Sequence, residues 1–162
     1  MNKTTNYKDL TLFPKELKNP PKKEDVLALV TFPRSGFHLL RVTSELLFKR
    51  QIYTGGICYH DSIPWCHHTH CTTNRGLVNA LNFEEREYDK VIYLYRENLL
   101  SAVYSWCVLM KYDINKVNIE RLLRLGMRHV KYFKNHKNTL FSTTYEQLIS
   151  NPHEVYKNMG NL

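Results

Sequence analysis

The segment "TFPRSG" (Thr31 to Gly36) combines three residue types that suit an anion. Arg34 carries a permanent positive charge on a planar fork of donors. Ser35 offers a hydroxyl, either to a ligand or as a helix cap. Gly36 lets the backbone come close to a bound group. The segment follows the apolar run "VLALVTF" (Val26 to Phe32) and precedes "GFHLLRVTSELLFKR", where Leu39, Leu40, Val42, Leu46 and Leu47 recur with helical spacing. It stands where a buried strand turns into a helix, and a helix N-terminus offers unpaired N–H groups to phosphate or sulfate. The alternative is a cap at Ser35 with Arg34 lying on the surface. The nucleotide-triphosphate loop GxxxxGK is absent, which argues against ATP or GTP hydrolysis.

A second reactive group lies in "CYHDSIPWCHHTHCTT" (Cys58 to Thr73). Histidine suits general-base work near neutral pH. Zinc is the rival, with ligands drawn from Cys58, His60, Cys66, His67, His68, His70 and Cys71. Paired CxxC motifs are missing and the spacing fits no standard finger. The third reading is a polar loop with ordinary histidines.

The elements that must position these residues alternate strand and helix. "VLALVTF", "KVIYLY" (Lys90 to Tyr95) and "TLFSTTY" (Thr139 to Tyr145) are strand-length apolar or β-rich runs, the first two continuous as in strands buried on both faces. "RENLLSAVYSWCVLMKY" predicts a helix with Leu99, Leu100, Val103 and Trp106 on one side. "INKVNIERLLRLGMRHVKYFKNH" predicts another, and "NPHEVYKNMGNL" starts a last helix with Pro152 in its first turn. Residues 1–24 form an arm closed by "NPPKKED", residues 25–162 one domain, and Gln51 to Arg75 a loop-rich stretch. The pattern predicts an α/β fold with a mostly parallel sheet. In such sheets ligands bind beyond the carboxyl ends of strands, where "TFPRSG" sits.

Composition narrows the classes. With 43% hydrophobic and 12% aromatic residues in a chain of 162, disorder is excluded and a real core is expected. A net charge of +8 favours anionic partners. A nucleic-acid-binding module is one such reading, suggested also by the eleven tyrosines. Against it, the basic residues are scattered and no aromatic-plus-basic RNA signature occurs. The start of the chain has no signal-peptide apolar run, and no stretch approaches the roughly 18 apolar residues of a membrane span. The expectation is a cytoplasmic protein with four reduced cysteines.

Three segments resemble the sulfotransferase family. "TFPRSGFHLL" is similar to its 5′-phosphosulfate loop, which runs Thr-Tyr/Phe-Pro-Lys/Arg-Ser-Gly. "KVIYLYRENLLSAVYSW" resembles the 3′-phosphate segment, where a strand ends in Arg and the next helix carries a Ser eight or nine residues on. "TTYEQLISNPHEVYKNM" resembles the family's "YE" segment. They occur in family order between Val26 and Met159.

The resemblance implies a three-layer sandwich of nucleotide-kinase-like type. It implies binding of 3′-phosphoadenosine 5′-phosphosulfate (PAPS), with adenosine 3′,5′-bisphosphate as product and no metal required. The sulfuryl group would pass to a hydroxyl or amine of a small-molecule or carbohydrate acceptor. Arg34, Ser35 and Gly36 take the places that hold the 5′-phosphosulfate, while Arg96 and Ser105 take those that grip the 3′-phosphate. Phe37 and His38 stand in the same loop where hydroxyl residues are usual. "HTH" resembles a Lys-Thr-His that ends a short strand in the family, which makes His70 the implied base and puts His68 in the lysine's place. The acceptor pocket is expected among the N-terminal arm, the Gln51 to Arg75 loop and the helix from Ile114 to His136. The family's C-terminal basic stretch over the 3′-phosphate has no counterpart before "MGNL". An open donor site, completion by a homo-oligomer, or a degenerate nucleotide-binding protein without catalysis would each answer to that.

Overall fold

The computed structural model describes residues 27–48, 52–53, 57–58, 66–70, 72–73, 82–83 and 88–162, together with Lys15–Glu16. Most of the N-terminal arm and half of the Cys58 to Thr73 cluster therefore lie outside the described residues. A five-stranded sheet runs through the molecule. Its strands are β1 (Leu27–Thr31), β2 (Ile52–Tyr53), β3 (Cys66–Thr69), β4 (Val91–Tyr95) and β5 (Thr139–Thr144). Their spatial order is β2-β3-β1-β4-β5, and every pairing is parallel. Short antiparallel ladders join Lys15–Glu16 to Ile57–Cys58 and Thr72–Thr73 to Asn82–Phe83.

Five helices are described: α1 (Phe37–Phe48), α2 (Leu99–Met110), α3 (Lys116–Lys134), α4 (Tyr145–Ser150) and α5 (Pro152–Gly160). The alternation of side chains along β1 sorts them into two layers. Ala28, Val30 and Phe32 face a core with Val103 and Trp106 of α2 and Leu122, Leu125 and Phe133 of α3. Leu29 faces the opposite core, with Leu40 of α1, Leu148 of α4 and Val155, Tyr156 and Met159 of α5. The result is a three-layer α/β arrangement with the fully buried central strands expected of a parallel sheet. On α3, Gly126 lets the helix approach Phe32 closely, since a Cβ there would come within 3.1 Å of the ring.

The helices depart from their apolar patterns in two places. On α1 the buried positions are Leu40, Arg41 and Ser44, while Leu39, Val42, Leu46 and Leu47 are exposed. Arg41 is held instead by Glu45 at 2.9 Å, and the same carboxylate oxygen accepts from the Ile52 amide at 3.1 Å, tying α1 to the start of β2. On α2, Ala102 and Cys107 join Val103 and Trp106 inside, and Leu100 is exposed. The loop-rich stretch also contains β3, a strand without an apolar run. It enters the sheet through backbone pairing with β1 from Leu27↔Cys66 to Val30↔Thr69.

Candidate functional site

The connections leaving β1 and β4 go to opposite faces of the sheet, α1 to one and α2 to the other. Neighbouring strands whose crossovers diverge leave a crevice between their carboxyl ends, the switch point where open α/β sheets bind ligands. A cavity of about 720 Å³ occupies this crevice. Arg34, Gly36, Phe37, His38, His70, Arg96 and Ser105 all line it. Residues spread over some seventy positions of chain are thus gathered by three strand ends.

The β1–α1 loop begins as a tight turn in which the Ser35 amide donates to the Phe32 carbonyl at 3.2 Å. Pro33 presets the first corner of this turn, and the second corner, Arg34, has a φ of 66°. A side chain there costs about 1–2 kcal/mol relative to glycine. The loop accepts that strain with an arginine aimed at the cavity, its Nε donating to Ser105 Oγ at 2.9 Å. Gly36 follows with a φ of 87°, packed so tightly that an added Cβ would collide with the Tyr145 ring. The first α1 hydrogen bond runs from Leu40 N to Gly36 O, so the amides of Gly36, Phe37 and His38 have no acceptor among the described residues. Ser35 does not cap them. Its side chain is fully buried and its Oγ has no partner among the described residues.

Arg96 ends β4. Its guanidinium lies over the Tyr145 ring, 4.2 Å from the centroid, and 3.9 Å from Glu146 Oε1. The Glu146 carboxylate also accepts from the amides of Glu97 (3.0 Å) and Asn98 (3.5 Å). The Tyr145–Glu146 pair therefore braces both loops, Tyr145 against Gly36 and Arg96, Glu146 beneath the start of α2. That start is completed by Asn98, whose side chain accepts from the Ser101 amide at 3.0 Å.

His70 stands one residue past β3. Its Nδ1 lies 2.9 Å from both the carbonyl oxygen and the Oγ1 of Thr31. A carbonyl only accepts, so Nδ1 carries the proton and Nε2 keeps a lone pair. Burial lowers the His70 pKa, which the hydrogen bond to Thr31 partly opposes, and the nearby His38 lowers it further. The ring is therefore neutral at pH 7. The Thr31 hydroxyl can then donate to His68 Nε2, also at 2.9 Å. The His68 ring stacks on Phe37 with centroids 3.4 Å apart and planes 8° apart. Phe37 and His68, two of the departures from the sulfotransferase pattern, thus contact each other.

The remaining cavity wall includes Trp106, Leu109 and Met110 of α2 and Tyr112 just beyond it. The helix from Ile114 to His136 contributes no described lining residue. Tyr145, Glu146 and this apolar wall were not visible as site residues in the sequence, although "YE" marked the first two. The metal reading rests largely on side chains outside the described residues. Among the described residues no three His, Cys, Asp or Glu side chains are grouped as metal ligands; Cys66 is buried, and Cys107 is a buried free thiol. No described helix is long and apolar enough to cross a membrane.

Fold and site together define an α/β protein with a parallel sheet and a cation-lined cavity at its switch point. Compared with known proteins, the chain matches no family model and no curated protein.

Proposed function

We propose that this chain is a PAPS-dependent sulfotransferase of nucleotide-kinase-like fold, moving a sulfuryl group to an acceptor hydroxyl or amine. One observation carries the reading. The three segments that resemble the family, far apart in sequence, meet at one cavity through Arg34, Arg96, Ser105 and Tyr145. The free amides of Gly36, Phe37 and His38 are suited to the sulfuryl and phosphate oxygens, whereas Ser35 is fully buried and is not among the residues that line the cavity. The guanidinium of Arg34 is placed to stabilise charge as it develops on the oxygen bridging sulfur and phosphorus, and does so without giving up a proton. Arg96 and Ser105 hold the 3′-phosphate.

Transfer is an in-line displacement. The acceptor oxygen forms a bond to sulfur while the bond from sulfur to the bridging oxygen breaks, and adenosine 3′,5′-bisphosphate leaves with that electron pair. The acceptor proton passes to His70 Nε2, which is free to take it because Nδ1 is committed to Thr31. The protein supplies position and charge, and needs no redox partner.

Calorimetric titration with adenosine 3′,5′-bisphosphate, beside ATP and the Arg96→Ala variant, tests the donor site. Micromolar binding that prefers the bisphosphate and weakens in the variant is expected. Equal binding of ATP, or none of either, would sink the reading. Bisphosphate binding without sulfuryl transfer to any hydroxyl or amine acceptor would leave a nucleotide-binding protein instead.

A further inference from the structure

We infer that His129 on α3, together with Tyr93 on β4, is a positioning pair that fixes His70 for proton transfer, an inference that rests on the sulfuryl-transfer reading for its catalytic meaning. His70 lies beyond the last ladder pair of β3, Val30↔Thr69. Its carbonyl is taken up from the helical layer instead, by His129 Nε2 at 3.0 Å. The carbonyl only accepts, so His129 Nε2 donates and Nδ1 is left as an acceptor. Tyr93 fills that acceptor with its hydroxyl, at 2.9 Å.

The chain of donors thus runs from Tyr93 OH to His129 Nδ1, from His129 Nε2 to the His70 carbonyl, and from His70 Nδ1 to the Thr31 carbonyl. His70 is pinned by its main chain to α3 and by its ring to β1. Both Tyr93 and His129 are fully buried, and His129 is packed among the rings of Phe32, Tyr93 and Phe133. A leucine would fill such a place on the buried stripe of α3 with less desolvation. A neutral imidazole donates to the carbonyl from one nitrogen and accepts the hydroxyl at the other, which spans this gap. Burial keeps it neutral, with a pKa pushed down to about 4.

Two kinds of readout separate positioning from mere core filling. Nitrogen-resolved NMR of the histidine rings reports the tautomer and titration of His70 in wild type, His129→Phe, His129→Gln and Tyr93→Phe. Steady-state sulfuryl transfer reports kcat apart from bisphosphate affinity. In His129→Phe the His70 ring signals and titration move and kcat falls by about tenfold to a hundredfold, the scale for a misplaced catalytic group, with affinity unchanged. His129→Gln, which keeps an N–H donor toward the His70 carbonyl, restores part of both. Tyr93→Phe, which keeps the ring and removes only the hydroxyl, gives a smaller shift of the same sign and covers the case in which His129→Phe does not fold. A His70 tautomer, titration and kcat unchanged in all variants, with only the melting temperature lowered, would overturn the inference. If wild type transfers no sulfuryl group, the catalytic reading fails, and the NMR arm still decides whether the pair positions His70.

Discussion

Two strand-to-helix junctions stand side by side at the carboxyl edge of the sheet and deal with their free amides in opposite ways. After β4 the protein supplies its own anion. The Glu146 carboxylate accepts from Glu97 and Asn98, and the Asn98 side chain accepts from Ser101. After β1 no described residue does so, and a buried serine hydroxyl stands beside the vacant amides without a partner. A helix start satisfied from within the chain is structural. One left open beside an arginine is a place for a ligand's charge. The β4 junction contributes to the cavity through Arg96, at the strand end, and not through its helix terminus.

The comparison breaks most visibly in turnover. Arg34→Ala is expected to raise the barrier to sulfuryl transfer by about 3 kcal/mol, a hundredfold or more in kcat, while bisphosphate affinity changes less. On the proposed function, His70→Ala is expected to abolish turnover and leave nucleotide binding intact. Asn98→Ala, at the other junction, is expected to cost about 1 kcal/mol of stability with kcat unchanged. Steady-state kinetics beside thermal melts reads all three. An Arg34→Ala enzyme that loses affinity alone would make the first junction a clamp with no part in the chemistry.

Acid separates the histidines that serve the site from the arginines. His129 has its pKa lowered to about 4 by burial, so the unfolded chain takes up a proton before the folded one does. Stability is therefore expected to fall as pH drops from the ordinary histidine range toward 4, by on the order of 3 kcal/mol, and to level off below that for this group. Urea titrations between pH 7 and pH 4, repeated in His129→Gln, measure the part that disappears with the imidazole. The His70 pKa is also lowered by burial, so turnover is expected to persist below the pH at which a free histidine would already be charged.

Much of this organisation was legible in the chain, and the reasons differ by element. The runs "VLALVTF" and "KVIYLY" announce strands because a central parallel strand must be apolar on both sides. The Pro-Arg-Ser-Gly step marked the junction because proline and glycine suit a tight turn, but pattern alone left a capping Ser35 with a surface Arg34 equally open. β3 was hidden. Cys66–Thr69 carries two histidines and a threonine, and its place in the sheet comes from backbone pairing with β1, which no side-chain period records. The apolar residues of α1 were misleading for the opposite reason, since Leu39, Val42, Leu46 and Leu47 point away from the core. Glu146 closes its junction from about fifty residues away, a contact set by the parallel pairing of β4 with β5. His129 could have been found. It falls on the buried stripe Leu122, Leu125, Gly126, His129, Phe133, where a titratable residue needs partners.

Gly36 sharpens the comparison at the level of backbone. Its φ of 87° and its contact with Tyr145 both exclude a side chain. Gly36→Ala is expected to cost about 2 kcal/mol, combining left-handed strain with overpacking. Tyr145 also stacks on Arg96, so the ring cannot yield at the first junction without disturbing the second. In a Tyr145→Ala background the Gly36→Ala cost should shrink to the backbone component alone. A double-mutant cycle by chemical denaturation measures that coupling, and additive costs would mean that the two junctions are braced independently.

The smallest expected effect isolates what the strained arginine is for. Arg34 and Lys111 are the two non-glycine residues with positive φ among the described residues, at 66° and 56°. Lys111 caps the C-terminus of α2, where a left-handed residue is a common way to end a helix, and it does not line the cavity. Glycine at either position relieves the side-chain strain but loosens the unfolded chain, for a net gain of about 0.5 kcal/mol. Lys111→Gly should therefore raise the melting temperature slightly and leave bisphosphate binding and turnover alone. Arg34→Gly should raise it by a similar amount and lose turnover as Arg34→Ala does. Stability and function then move in opposite directions at the first junction only. If Arg34→Gly were instead less stable than wild type, the hydrogen bond from Arg34 to Ser105 would be holding the loop together, and the arginine's presence would need no ligand to explain it.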